Sequence, residues 1–336
     1  FNKIDALLLA HVTYSIFDGV VPENFTEKKT FAQVAKDFMA MPDYEERINI
    51  GFLINKRTAE LMFKCAEVER YKNVELCGFR NIYNEEKVEQ FAAVTYIVNG
   101  KPVIAVRGTD DTIVGWKEDF NIAWQEQIPA QKDSLEYFKE AASAFNGDFV
   151  LVGHSKGGNL VINTAVRCGS ELQKRINEVY NFDGPGVLKD EYELKYKRIK
   201  KKLINIIPSN SMVGVLLYNE NFSVIKSKNH MMETHYPSSW CLFGEFFIED
   251  SLKVFSNQLH NYTTVTLEKI DRRMLEDAME GIFKELKEEN TRDIRLETIK
   301  EGLEKLKDTD SQVFRYLNTL LTSLITVNKK ERNKET

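Results

Sequence analysis

The chain has 336 residues, of which 43% are hydrophobic, enough for one large core with a helical appendage. The net charge is −5 and no long basic block occurs, which argues against a nucleic-acid partner. The apolar stretches are too short to form an integral membrane segment, and the start of the chain shows no secretory leader pattern.

The first 70 residues read as helical. Ile4, Leu7, Leu8, His11 and Val12 recur at helical spacing until Asp18-Gly19. Phe31, Val34, Ala35 and Phe38 repeat the pattern, and residues 57–68 form another helix. From 74 the period changes. Val74–Cys77 and Phe91–Val98 read as strands, Asn99-Gly100 as a two-residue hairpin turn, and Pro102–Val106 as the returning strand. An amphipathic helix over 133–145 leads to a strand at 148–153 and a helix at 158–168. Then come a strand at 178–182, a helical stretch near 187–199, and strands at 203–207 and 222–226. From 265 to about 328 apolar residues again fall at helical spacing: Leu267, Ile270, Met274, Phe283, then Ile299, Leu303, Leu306, then Val313, Leu317, Leu320. That pattern predicts three helices packed together or laid against the core.

The alternation of strand and helix predicts an α/β fold with a mostly parallel central sheet covered on both faces, led by an antiparallel hairpin. The division expected along the chain is an N-terminal helical segment over 1–73, a core over 74–260 and a C-terminal helical extension over 261–336. Such a sheet places its chemistry at the carboxyl ends of its strands. Cys65, Cys77, Cys168 and Cys241 are scattered without a C-x-x-C pair, so they suit small buried residues in a reducing, cytoplasmic setting better than disulfides or a metal site.

One motif dominates. Residues 149–160, Phe-Val-Leu-Val-Gly-His-Ser-Lys-Gly-Gly-Asn-Leu, contain G-x-S-x-G centred on Ser155, between an apolar strand and the start of a helix. That context makes a nucleophile elbow, in which Gly153 and Gly157 leave room for a sharp turn. A serine hydroxyl needs a base. In the order Ser…Asp…His the base follows the last core strand, which leaves His235 and His230. His235 is preferred, because Tyr236-Pro237 fixes its loop and Trp240 follows. His11 and His154 read as core or packing residues. The orienting acid is expected at Asp183, in Asn-Phe-Asp-Gly-Pro-Gly at the end of a strand, where an Asx-type turn is the competing reading. Ser211 or Asn210 would serve as neutral orienters in its place. The oxyanion donors are expected at the backbone of Lys156 and at Thr109, within Arg107-Gly108-Thr109-Asp110-Asp111. Asp119 is expected to pair with Arg107.

Arg-Gly-Thr-Asp-Asp…Gly-Trp-Lys-Glu-Asp followed by Gly-His-Ser-Lys-Gly-Gly-Asn-Leu resembles the class 3 lipase branch of the α/β-hydrolases. Phe-Asp-Gly-Pro-Gly and the segment from Pro208 to Gly214 resemble more specifically the bacterial Mbeg-like family of unknown function. The resemblance implies Ser155 as nucleophile, His235 as base, Thr109 and Lys156 as oxyanion donors, and no metal or organic cofactor. It departs at Ser211, which stands where the lipases carry their acid. Lys156, in place of an apolar residue, is expected to pair with Asp110, Asp111 or Asp183. The activity expected is hydrolysis of small carboxylic esters through an acyl-enzyme. A thioesterase or acyltransferase on the same site, or a non-catalytic binding protein that docks a partner on its C-terminal helices, are the alternatives.

Overall fold

The computed structural model describes residues 1–48, 57–110, 112–229 and 231–288, and three further residues at 315, 318 and 319. The N-terminal helices are α1 (Lys3–Val12), α2 (Phe31–Met39), α3 (Tyr44–Arg47) and α4 (Arg57–Glu67). The first two begin at capping boxes, Asn2 with Asp5 and Thr30 with Gln33, each satisfying backbone N–H groups that a helix start leaves bare. Phe31, Val34, Ala35 and Phe38 form the buried stripe of α2, as their spacing predicts.

Eight strands form one sheet in sequence order: β1 (Lys29–Thr30), β2 (Glu75–Asn84), β3 (Glu89–Val98), β4 (Lys101–Val106), β5 (Phe149–His154), β6 (Ile176–Phe182), β7 (Leu203–Pro208) and β8 (Phe222–Ile225). The pairs from β1 to β4 are antiparallel and those from β4 to β8 parallel. This is the α/β fold with a leading hairpin that the sequence predicts. Strand β2 runs well past Cys77 into a second hairpin. A bulge between Cys77 and Arg80, with Gly78 at φ 64°, shifts its register and hides the alternation from a period-2 reading.

Between and after the strands lie α5 (Ile113–Asn121), α6 (Pro129–Ala144), α7 (Lys156–Arg167), α8 (Ser170–Lys174), α9 (Lys189–Leu194), α10 (Val254–Leu267) and α11 (Arg272–Glu288). The stretch expected as one helix near 187–199 is α9 followed by a separate 3₁₀ turn, Tyr196–Arg198. The C-terminal helical region begins at Val254 rather than 265, so α10 runs across residue 260. Helix α11 packs Leu275, Met279 and Phe283 toward Trp124, and Glu280 meets Lys117 at 2.6 Å. The helices expected over 299–306 and 313–324 lie outside the described residues but for the three noted.

Strands that follow one another in order, joined by right-handed crossovers, put their connecting helices on the same face of the sheet. The core shows this. Leu151 and Phe149 of β5 pack with Tyr137 and Phe138 of α6 and Leu160 and Val161 of α7. Their alternate neighbours Val150 and Val152 pack on the other face with Leu9 of α1 and Phe31 and Phe38 of α2. The sheet is covered on both faces, but its second face by the N-terminal helices rather than by crossovers. Among the described residues no helix is long and apolar enough to cross a membrane.

Candidate active site

Ser155 stands between β5, all six of whose residues are buried, and α7. Its backbone sits at φ 58°, ψ −135°, a strained conformation for a residue with a side chain. Two hydrogen bonds hold it there: its N–H donates to the Phe182 carbonyl at 3.0 Å, and its carbonyl accepts from Gly158 N–H at 2.9 Å. A Cβ on Gly153 would overlap the Gly157 backbone, and one on Gly157 would overlap the Val106 carbonyl. The turn therefore depends on both glycines.

His235 ends a 3₁₀ turn beyond β8 and is buried. Its Nδ1 lies 2.7 Å from Oδ2 of Asp183, which is wholly buried at the end of β6 with φ 50°. A carboxylate only accepts, so Nδ1 carries a proton, and in the neutral imidazole Nε2 is the bare nitrogen. The other carboxylate oxygen accepts from Ser211 Oγ at 2.5 Å and from Gly214 N–H at 3.1 Å. Ser211 thus bonds Asp183 and not the imidazole, a correction to its expected alternative role as a direct orienter of His235. The competing Asx-type turn does not form at Asp183; instead Asn181 Oδ1 accepts from Gly184 N–H, three residues on, at 2.9 Å. His230 lies outside the described residues.

Ser155, His235 and Thr109 line one cleft that is partly open to solvent. Its other walls are His11, Tyr14, Thr58, His154, Tyr236 and Pro237. Among the described residues Ser155 Oγ makes no hydrogen bond, so it is free to meet a ligand. Thr109 Oγ1 donates to Asp119 Oδ2 at 2.5 Å. Among the described residues Asp119 Oδ1 has no partner, and burial pushes its carboxyl up to about 7. The expected Asp119–Arg107 pair does not form; Arg107 bonds Asn81 and Asp110 instead. Lys156 also departs from expectation. Its ammonium meets Glu118 Oε2 at 2.7 Å and both oxygens of Gln90 at 2.8 Å, rather than Asp110 or Asp183, while Asp111 lies outside the described residues. Both charges are almost wholly buried, so each requires the other.

Two further histidines, His11 and His154, line the cleft, although their positions in the chain mark them as core or packing residues. His11 Nε2 contacts Thr58 Oγ1 at 3.1 Å, and burial pushes its imidazole down to about 4. His154 is buried and lies with its ring 4.6 Å from the His235 ring. Burial, and then the neighbouring His235, hold it well below the usual histidine range. Its position next to Ser155 was the one signal available; nothing in the spacing connects it with Tyr14 or with the loop of His235.

The Mbeg1-like family model matches residues 65–284, which span β2 to β8, the elbow and the His235 loop. The chain belongs to the Mbeg1-like family. No curated protein and no solved structure shows a significant match. The matched region begins within α4, so the family member's cleft is completed by His11, Tyr14 and Thr58 from outside it.

Proposed function

We propose that this Mbeg1-like protein is a serine hydrolase of carboxylic esters, related to the class 3 lipase branch of the α/β-hydrolases. The observation that carries this reading is the 2.7 Å contact between buried Asp183 and Nδ1 of His235, which lines the same cleft as the strained Ser155. Asp183 fixes the tautomer that leaves Nε2 basic and stabilises the imidazolium once it forms. Nε2 takes the Ser155 hydroxyl proton as Oγ attacks the ester carbonyl carbon. The carbonyl oxygen becomes an oxyanion, held by the N–H groups of Lys156 and Thr109. Collapse breaks the carbon–oxygen bond of the ester, and His235 returns the proton to the departing alcohol. Water, activated by the same imidazole, then releases the acid from the acyl-enzyme.

The roles of Lys156 divide between backbone and side chain. Its N–H opens α7, where the helix leaves donors bare, while its ammonium is tied to Glu118 and takes no part in substrate binding. Thioester cleavage and acyl transfer would run through the same steps with a different leaving group or acceptor. The four buried, unpaired cysteines support a cytoplasmic setting.

The test is a fluorophosphonate probe and a panel of p-nitrophenyl esters. The wild-type chain should be labelled and should hydrolyse short esters, and Ser155→Ala should lose both. A wild-type chain inert to probe and panel alike, or a Ser155→Ala chain that keeps both activities, would end the hydrolase reading.

A further inference from the structure

The loop that carries His235 has three consecutive carbonyls held by side-chain donors. Trp240 Nε1 donates to Thr234 O at 2.8 Å, and Ser239 Oγ to Tyr236 O at 2.7 Å. Between them His154 Nε2 donates to His235 O at 2.9 Å. Of these three donors only His154 lies outside the loop. It is the residue before Ser155, so this bond joins the backbone of the candidate base directly to the strand that carries the nucleophile.

The chemistry of the bond fixes the rest. A carbonyl only accepts, so His154 Nε2 bears the proton and Nδ1 is the acceptor. Tyr14 OH stands 3.0 Å from that Nδ1 and 3.3 Å from the His154 carbonyl, and the two rings meet edge to face. Tyr14 follows α1, 140 residues away in the chain. Its hydroxyl lies so close over Gly108 that a Cβ there would strike it. The same hydroxyl therefore touches both the Arg107-Gly108-Thr109 turn and the elbow.

We infer that Tyr14 and His154 are positioning residues for His235: the Tyr14 hydroxyl locks His154 as the Nε2–H tautomer, and that N–H pins the His235 carbonyl so that the imidazole meets Ser155 at a fixed height. The inference rests on the hydrolase reading above. It gives the N-terminal segment a part in catalysis beyond covering the sheet. It also explains why a histidine precedes the serine here: phenylalanine would fill the same space and leave a carbonyl of the catalytic loop without its donor. A histidine in contact with a base that becomes cationic must itself stay neutral, and the burial of His154 keeps it so.

The experiment uses the full chain with an ester that the wild type turns over, and compares Tyr14→Phe, His154→Phe and His154→Gln. Displacing a catalytic group by about 1 Å costs on the order of 100-fold. His154→Phe is expected to lower kcat by about 10- to 100-fold with KM within about twofold, since the bond acts on the base and not on substrate binding. Glutamine can present an N–H near the same place, so His154→Gln should recover most of that loss. Tyr14→Phe should fall between them. A residue that merely fills space would give the reverse order, with phenylalanine tolerated and glutamine not. That reversed order, or a wild-type kcat in His154→Phe, overturns the inference. If His154→Phe does not fold, Tyr14→Phe decides: it removes one oxygen, and an unchanged kcat in that variant overturns the inference equally. A wild-type chain inert toward esters and toward the fluorophosphonate is a different failure, that of the hydrolase reading itself.

Discussion

Two aspartates flank Ser155, and the protein treats them differently. At the end of β6, Asp183 has a donor on each oxygen: His235 on one, Ser211 and the Gly214 amide on the other. On the opposite side, in α5, Asp119 has Thr109 on one oxygen and, among the described residues, nothing on the other. Asp183 is held by three donors in all. Asp119 is kept where a proton suits it better, with its carboxyl pushed up to about 7. A buried carboxyl is thus given its task by its donors. The β6 side surrounds its carboxyl with donors beside an imidazole, and the α5 side leaves one carboxyl oxygen bare beside a turn.

Substitutions on the two sides should differ in what they damage. The largest effect is expected from Asp183→Asn. It keeps the shape and loses the charge that fixes the His235 tautomer, so kcat on an ester should fall by about 10⁴-fold. Circular-dichroism melts should show the chain still folded. A kcat within tenfold of wild type would mean that Asp183 does not serve the imidazole. Next comes Glu118→Ala on the α5 side, which strands the buried Lys156 ammonium. Breaking a buried pair in this way costs about 3–5 kcal/mol, and urea unfolding should register that loss. A destabilisation below about 1 kcal/mol would mean that Lys156 escapes to solvent when its partner is gone.

The smallest effect is expected from Asp119→Asn, and it should appear in the pH dependence. The folded carboxyl titrates near 7 and the unfolded one near 3.8, so between those values the native state binds more protons. Its contribution to stability is full below pH 3.8 and is lost as pH rises through 7. Asparagine can still accept from Thr109 and cannot ionise. Denaturation at pH 5 and pH 8 should therefore show a smaller fall in stability for the variant than for the wild type. Equal falls would remove Asp119 as the source and would blur the contrast between the two sides.

Much of the scaffold was legible along the chain. Period-2 runs marked the strands, Asn99-Gly100 marked a hairpin, and the glycines around Ser155 marked a turn too tight for side chains. These signals are local, set by backbone sterics within a few residues. The bulge at Gly78 shows the limit: one extra residue moved the alternation out of phase, and most of β2 went unread. The partners of charged groups were less legible. Lys156 could be seen to need a carboxylate, and three were expected for it. It chose a fourth, Glu118, because the fold brings β3 and α5 to the first residue of α7, where Gln90 and Glu118 surround its ammonium. Arg107 and Asp119 were separated for a similar reason. Asp110 takes the guanidinium and Thr109 takes the carboxyl.

The sequence by itself determined the strand–helix succession and the sharp turn that displays Ser155, since both follow from short-range periodicity and from where glycine is required. It also narrowed the histidines and carboxylates to a few. Only the tertiary structure decided that Asp183 rather than Ser211 meets His235, that α1 and α2 close the sheet's second face, and that Tyr14 reaches His154 across 140 residues. Each of those contacts joins segments that share no local pattern. It exists only once the sheet brings the carboxyl ends of its strands together, with the N-terminal helices packed against them.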